Sequence, residues 1–248
     1  MKTVLITGCS SGFGLETAAY FLAQGWRVVA TMRDPQPGLL PASDHLVLLP
    51  LDVTDAASIA SVIAAAGPID VLVNNAGIGL LSIVEDTEIA TMREIFDTNT
   101  IGLMAMVKAV VPQMRARKAG VIINVTSTVT VKPLPMLAVY TASKAAVEAF
   151  STSLALELAP FDVAVRIVLP GQGKTKLGEN ARARMKMDFP PAYQAFAQEV
   201  FARTMAGSGG TLLEDVAQGV WRAATDPDCP MFLPAGSDAV AHFAEAGR

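Results

Sequence analysis

The amino-acid sequence predicts an α/β fold with one doubly wound parallel sheet of about seven strands and helices on both faces. Short apolar runs alternate with helical patterns from the first residues to the last. The runs are too uniformly apolar for one face to meet water, which is typical of parallel strands covered on both sides. No internal repeat or low-complexity linker divides the 248 residues, so we expect a single domain over residues 1–248.

The strands are predicted from apolar runs that turn-forming residues bound, and they are Val4–Thr7, Arg27–Thr31, His45–Leu49, Val71–Asn74, Val121–Thr126, Val163–Leu169 and Met231–Leu233. Helices are predicted between them at Phe13–Gln24, Ala56–Ala66, Glu88–Lys118, Ala138–Leu158 and Leu213–Ala224. A glycine or proline stands within two residues after each of the first four, where helices commonly stop. The third stretch is long enough for two helices, with a break expected near Asn99.

Composition and charge exclude several classes of function. The chain is 52% hydrophobic and 17% charged, which indicates a well-filled globular core. A net charge of −4 argues against a general nucleic-acid surface. No stretch reaches the roughly 18 apolar residues that a membrane span requires. Cys9 and Cys229 are too few for a disulfide framework, and His45 and His242 stand alone. We therefore expect a cytoplasmic protein without a metal, a nucleic-acid partner or a membrane span.

Polar and glycine-rich loops follow the predicted strands, at the carboxyl ends where open parallel sheets bind ligands. After the first strand, the sequence TGCSSGFG opens a helix. Glycines in this context let backbone N–H groups reach a pyrophosphate at the helix N-terminus. The sequence therefore predicts a Rossmann-type dinucleotide site.

The next three strand ends extend this site, although each has a simpler alternative. Arg33 can accommodate a 2′-phosphate, or it is an exposed loop residue. Asp52 can accept from an adenine amino group, or it caps a helix, a role that Thr54 and Asp55 serve better. The amides of Asn74–Gly77 can hold backbone and ribose, or they form an Asx turn.

Tyr140 and Lys144 lie four residues apart in a helix of small residues, so both side chains share one face. The alternative is a tyrosine that anchors the helix start and a solvated lysine. A phenol with a pKa near 10 needs help to exchange protons at neutral pH, and a nearby ammonium favours its ionised form. The pair therefore suits acid–base chemistry.

Together these motifs resemble those of the short-chain dehydrogenase/reductase family. Residues 7–14 match its T-G-x-x-x-G-x-G pattern, residues 74–77 its N-N-A-G motif and residues 140–144 its Y-x-x-x-K motif. The family's serine and helix asparagine are matched by Ser127 and Asn99. Its P-G-x-x-x-T motif is matched by Pro170, Gly171 and Thr175. A looser similarity extends to the NADP-preferring subgroup that contains steroid and retinol dehydrogenases.

The resemblance implies an NADP-dependent oxidoreductase that interconverts a hydroxyl and a carbonyl group on a small molecule. It makes Tyr140 the proton donor or acceptor and Ser127 the group that holds the substrate oxygen. Lys144 then binds the nicotinamide ribose, and Asn99 places a water. The implied cofactor contacts are Thr7, Gly8, Ser10, Ser11, Gly12, Phe13, Gly14, Arg33, Asp52, Val53, Asn75, Ala76, Gly77, Tyr140, Lys144, Pro170, Gly171, Gly173 and Thr175. NAD is the less favoured cofactor.

The sequence departs from the family pattern at two places near the predicted cofactor site. Gly173 replaces a branched apolar residue near the nicotinamide, which predicts a more open wall. Ser10 and Ser11 replace the basic residue that many NADP-using members carry in the glycine loop, so the NADP prediction depends on Arg33. A non-catalytic NADP-sensing regulator is the alternative function, but such a protein should show a damaged catalytic set.

The stretch at about 172–212 contains no predicted strand and is expected to form a substrate loop or lid. An amphipathic helix is predicted there from Tyr193, Phe196, Ala197, Val200, Phe201 and Thr204. Glycines at 206–210 suit a hinge, and Met185, Met187 and Phe189 add adaptable apolar surface. Arg182, Arg184 and Lys186 are expected to be solvated. The expected substrate is an apolar ketone, aldehyde or alcohol, unless the helix is ordinary core.

Assembly into a homodimer or homotetramer is also expected. The helix over residues 138–158 has small residues nearly all round, and the run Ile101–Val111 is apolar. Surfaces of this kind suit a close approach between helices better than solvation. The resemblance supports the same expectation.

Overall fold

The computed structural model describes residues 1–173, 189–206 and 210–247. Several residues named in the sequence-based predictions lie outside these ranges, namely Thr175, Arg182, Arg184, Met185, Lys186, Met187 and two of the predicted hinge glycines, Gly207 and Gly209.

Within the described ranges, seven strands form one parallel sheet. They are β1 (Thr3–Thr7), β2 (Arg27–Met32), β3 (Leu46–Pro50), β4 (Val71–Asn74), β5 (Gly120–Val125), β6 (Val163–Pro170) and β7 (Phe232–Ala235). Their order across the sheet is 3-2-1-4-5-6-7, and each pair of neighbours is parallel. The order reverses between β1 and β4, so the loops after these strands diverge and leave a crevice. The predicted fold class is confirmed.

The helices are α1 (Gly12–Ala23), α2 (Ala56–Ala66), α3 (Ile89–Phe96), α4 (Gly102–Arg117), α5 (Ala138–Leu158), α6 (Gln194–Ala206), α7 (Leu213–Thr225) and α8 (Ser237–Glu245). The break expected near Asn99 is a π-helical turn over Asp97–Ile101, which joins α3 to α4. The helix α8 was not predicted from the sequence, and it begins one glycine after the last strand ends.

The core lies on both faces of the sheet because alternate side chains of each strand point to opposite sides. On one face, Val4 and Ile6 of β1 pack with side chains of α1 and α7. On the other face, Leu5 packs with side chains of α2, α4 and α5. All three are fully buried, and burying such a side chain contributes roughly 1.5–3 kcal/mol. Of the helices in the described ranges, none has the length and apolar character needed to cross a membrane.

Candidate active site

The glycine-rich loop between β1 and α1 packs directly against the loop after β4. Gly8 has a φ of +76°, and a Cβ there would lie 2.8 Å from the Cα of Ala76. A Cβ on Gly14 would collide with the carbonyl oxygen of Gly8 and with the side-chain amide of Asn75. Glycine is therefore required by the approach of two loops as well as by the turn itself.

Hydrogen bonds join the same two loops. The Thr7 hydroxyl oxygen accepts from the backbone N–H of Asn75 at 3.0 Å and of Ala76 at 2.9 Å. The Asn75 side-chain amide donates back to the carbonyls of Thr7 at 3.0 Å and Gly8 at 3.2 Å. These contacts hold the carboxyl ends of β1 and β4 together at the switch point.

A cleft of about 900 Å³ opens beside these loops. The structure brings together along it most of the predicted cofactor residues, which are Gly8, Ser10, Ser11, Gly12, Phe13, Arg33, Asp52, Val53, Asn75, Ala76 and Gly77. The far wall comes from α3 and the turn after it and includes Arg93, Glu94 and Asp97, which the sequence analysis did not select. The size and the glycine-lined floor fit a dinucleotide, whose pyrophosphate would lie at the N-terminus of α1.

Charged side chains stand where the adenosine end of a dinucleotide would lie. Arg33 is exposed at the rim, directly after β2. Asp52 accepts from the Thr54 hydroxyl at 2.7 Å and from the Thr54 N–H at 2.9 Å. These hydrogen bonds, and to a smaller extent the charge of Arg33, lower the pKa of Asp52. Helix capping falls instead to Asp55, which accepts from the N–H of Ala57 at 2.9 Å.

Tyr140 and Lys144 are both buried at the start of α5, where the loop after β5 brings Ser127 against them. Burial raises the pKa of Tyr140 to about 12, and a hydrogen bond with Ser127 acts in the opposite direction. Burial lowers the pKa of Lys144 to about 8, whereas the negative charge of Glu148 acts to raise it. The Lys144 ammonium donates to the carbonyl of Val125 at 3.0 Å and lies 5.9 Å from the centre of the Tyr140 ring.

Asn99 reaches this group from the π-helical turn, a kind of bulge common at functional sites. Its side-chain oxygen accepts from the N–H of Ile78 at 2.8 Å, and its amide donates to the Ile78 carbonyl at 2.9 Å. The amide also donates to the Ser143 hydroxyl at 3.1 Å. A Cβ on Gly77 would lie 3.2 Å from the Asn99 oxygen and 3.6 Å from the Lys144 nitrogen, so these groups converge.

Sequence reasoning missed two polar residues of this group, Ser143 and Glu148. Ser143 is fully buried between Asn99 and the Tyr140 carbonyl, to which it donates at 2.7 Å. Glu148 lies one turn beyond Lys144. Both stand on the face of α5 that Tyr140 and Lys144 define, so helical spacing from that pair was the available signal.

The loop after β6 is held in place by the unpredicted helix α8. Asp238 accepts from the N–H of Gln172 at 2.6 Å and from the Thr211 hydroxyl at 2.5 Å. The Thr211 oxygen accepts in turn from the N–H of Gly171 at 3.1 Å. A Cβ on Gly173 would lie 2.8 Å from the Phe13 ring, so Phe13 occupies the space in which a side chain at residue 173 would begin.

Beyond this loop, α6 packs on the segment that follows the β4 loop. Ala197 and Val200 are buried with Phe189, Ile83 and Met136 in one apolar cluster. Three further side chains pack against the cluster, and they are Leu81, Tyr193 and Phe201. The prediction that Phe196 belongs to the packed face is wrong, because 43% of it is exposed. We call this cluster the apolar wall.

Comparisons with known proteins agree with this geometry. The sequence pattern of short chain dehydrogenases matches residues 2–186. Human retinol dehydrogenase 8 is 36% identical over 237 residues, which cover 88% of this chain and 76% of that protein. Retinol dehydrogenase 8 of Bos taurus is 42% identical over 182 residues, which are 68% of this chain but only 58% of that protein.

Solved structures show the same fold. A short-chain dehydrogenase from Streptomyces avermitilis is 33% identical, with a TM-score of 0.85 over 98% of this chain and 91% of that one. A serine dehydrogenase complexed with NADP+ is 32% identical, with a TM-score of 0.79 over 94% and 93%. A 3-ketoacyl-(acyl-carrier-protein) reductase from Brucella melitensis, complexed with NADH, is 28% identical, with a TM-score of 0.79 over 94% and 96%. The chain therefore belongs to the short chain dehydrogenase family of oxidoreductases.

Proposed function

We propose that the protein is an NADP-dependent oxidoreductase that interconverts a carbonyl and a hydroxyl group on an apolar small molecule, with Tyr140 as the proton donor or acceptor. The observation that carries this proposal is the convergence of Ser127, Tyr140, Lys144 and Asn99 beside a cleft that fits a dinucleotide. Asn99, Tyr140 and Lys144 are buried and Ser127 is partly buried. A cluster of polar side chains from three separate elements has no evident structural purpose.

The geometry suggests how these residues act on a carbonyl substrate. With a pKa of about 12, Tyr140 keeps its proton at neutral pH and can give it to the substrate oxygen. Ser127 holds the same oxygen by a hydrogen bond and thereby orients it. Lys144, when protonated, stabilises the phenolate that proton donation leaves behind. The nicotinamide, when bound, supplies the hydride.

The alternative of a non-catalytic NADP sensor is less well supported. A sensor has no need of a proton donor, a donor to the substrate oxygen and a buried lysine in one place. All four predicted catalytic residues are present, and Asn99 is held rigidly by three hydrogen bonds. A panel of ketones, aldehydes and alcohols, followed by the absorbance of reduced nicotinamide, tests the proposal. No turnover with any member, despite tight cofactor binding, would favour the sensor.

The preference for an apolar substrate depends on the apolar wall. The names of relatives point in several directions, since they include a retinol dehydrogenase, a 3-ketodihydrosphingosine reductase and a serine dehydrogenase. In this chain, Met136 has a left-handed backbone with a φ of +62°. The N–H of Ser82 donates to the Met136 carbonyl at 2.8 Å, and the Met136 side chain is buried in the apolar wall. Such strain in a residue beside a catalytic loop favours a role in shaping the pocket.

Replacing Phe201 by alanine tests the apolar wall. The Phe201 ring packs on Phe189, with 6.0 Å between ring centres. We expect Phe201→Ala to raise the KM of bulky apolar substrates by about one to two powers of ten, since lost apolar contact in a substrate pocket typically costs about 1–3 kcal/mol of binding free energy. Phe196→Ala is the matched control, because Phe196 is on the same helix and exposed, and its kinetics should match wild type. Unchanged kinetics in Phe201→Ala with a lowered melting temperature would show that α6 is ordinary core.

A homodimer or homotetramer is proposed on the exposed sides of α4 and α5. Leu156 on α5 is 77% exposed, and Ile101, directly before α4, is 55% exposed. Ala142, Ala145 and Ala149 are small exposed residues of α5. We expect light scattering at micromolar concentration to give at least a dimer mass and Ala145→Arg to lower it. Ala60→Arg on the exposed side of α2 is the matched control and should not change the mass. A monomeric wild type would contradict the proposal.

The two cysteines are the basis for the cellular compartment that we propose. Cys9 and Cys229 are both buried and unpaired, and unpaired thiols are typical of a reducing compartment. We therefore infer that the protein acts in the cytoplasm.

A further inference from the structure

Glu148 joins the two elements that carry the catalytic side chains. One of its carboxylate oxygens accepts from the Thr130 hydroxyl at 2.6 Å and from the Thr126 hydroxyl at 3.2 Å. Thr126 directly precedes Ser127, and Thr130 ends the short helical turn that Ser127 begins. A single oxygen on α5 therefore holds the Ser127 loop on both sides.

The shorter of these bonds competes with a bond inside the loop. The Thr130 hydroxyl also lies 2.8 Å from the Ser127 carbonyl, and it has only one hydrogen to donate. A separation of 2.6 Å is typical of a hydroxyl that donates to an ionised carboxylate, which is the stronger interaction. Without that charge, the hydroxyl would turn to the Ser127 carbonyl, and the loop would lose its firmest bond to α5.

We propose that Glu148 is a positioning residue, whose carboxylate sets the Ser127 hydroxyl relative to Tyr140 by joining the loop after β5 to α5. This inference rests on the proposed function, because it assigns a role within the same site. Small displacements of a substrate-orienting group lower turnover strongly, since the reacting atoms must be aligned.

The charge of Glu148 also acts on Lys144. Among the described residues, the groups near the Lys144 ammonium include the Tyr140 ring on α5, the carbonyl of Val125 on β5 and the Asn99 side chain on the π-helical turn. All are neutral at pH 7, whereas the charge of Glu148 opposes the effect of burial on the pKa of Lys144. Removing that charge should lower the pKa of Lys144 further below about 8, so that less of Lys144 is protonated at neutral pH.

Two variants separate the two effects. Glu148→Gln keeps the side-chain length and an oxygen that can accept hydrogen bonds, but it removes the charge. We expect a fall in kcat of about three- to thirtyfold and an alkaline limb of the kcat–pH profile at lower pH. Thr130→Val keeps the shape of the Thr130 side chain and the charge of Glu148, but it removes the short hydrogen bond between them. It should lower kcat without moving the limb. Glu157→Gln on the exposed side of α5 is the matched control and should change neither.

Amide hydrogen exchange of the cofactor-free protein provides a measurement that does not depend on turnover. We expect faster exchange at residues 127–131 in Glu148→Gln and in Thr130→Val, but not in Glu157→Gln. Faster exchange throughout the sheet would instead indicate general destabilisation and overturn the positioning role. A Glu148→Gln variant with the kcat and alkaline limb of wild type would overturn it as well. Loss of turnover in Tyr140→Phe would meanwhile leave the proposed function intact.

Discussion

Replacing Tyr140 by phenylalanine should lower kcat by at least about 10²-fold, and up to about 10⁴-fold, because general acid catalysis typically contributes that much. The ring stays in place, since Tyr140 is buried and packed, and only the proton donor is lost. The affinity for NADPH should change no more than a few-fold. Steady-state kinetics on the best substrate of the panel, together with a fluorescence titration of NADPH, measure the two effects separately.

Tyr20→Phe is the matched control for this substitution. Tyr20 lies on α1, where its ring packs near Trp221, away from the catalytic group. Loss of its hydroxyl should leave kcat unchanged. If Tyr140→Phe kept a tenth of the wild-type rate, Tyr140 could not be the proton donor. The search for the donor would then turn to Ser127.

Replacing Arg33 by alanine should weaken NADPH binding by about 10- to 150-fold and barely alter NADH binding, because a charge-assisted contact is worth roughly 1.5–3 kcal/mol. Arg33 is exposed, so solvent screening places the expected loss towards the lower end. The NADPH affinity of wild type should fall as salt is raised, and this dependence should be smaller in the variant. Titration of both cofactors at two salt concentrations measures all of these quantities.

Arg93→Ala provides the comparison for Arg33, since Arg93 lies on α3 and lines the same cleft from the other side. We expect it to have little effect on the ratio of NADPH to NADH affinity. A larger loss of NADPH affinity in Arg93→Ala than in Arg33→Ala would indicate that the 2′-phosphate binds beside Arg93 on α3. Equal losses for the two cofactors in Arg33→Ala would contradict the NADP preference.

The sheet and most of its helices could be predicted because their signals are local. A strand buried on both faces must be apolar throughout, and β1 is buried at each of its five residues. Helix ends are marked by residues that the local backbone requires, such as Gly67 after α2, with its φ of +71°. The helix α8 was missed because it is short and follows β7 after one glycine, which resembles a strand end more than a helix start.

The candidate site was predicted only in part. Tyr140 and Lys144 could be predicted from the sequence because four-residue spacing on a helix determines which side chains meet. Gly8 and Gly14 could also be predicted, although the main reason that these positions require glycine is the close approach of the loop that carries Asn75. Packing of distant elements determines such an approach, and no spacing within one loop encodes it.

By itself, the sequence determined the fold class, the strand ends that meet at the switch point and the residue types available for chemistry there, because periodicity and turn chemistry act over a few neighbouring residues. Only the tertiary structure decided which distant side chains touch. It brought Glu148 to Thr130, Asp238 to Thr211 and the Phe13 ring to Gly173, and it turned Phe196 outward. Each of these depends on the angle and depth at which one element packs on another. That placement results from the summed burial of many side chains, which no short motif specifies.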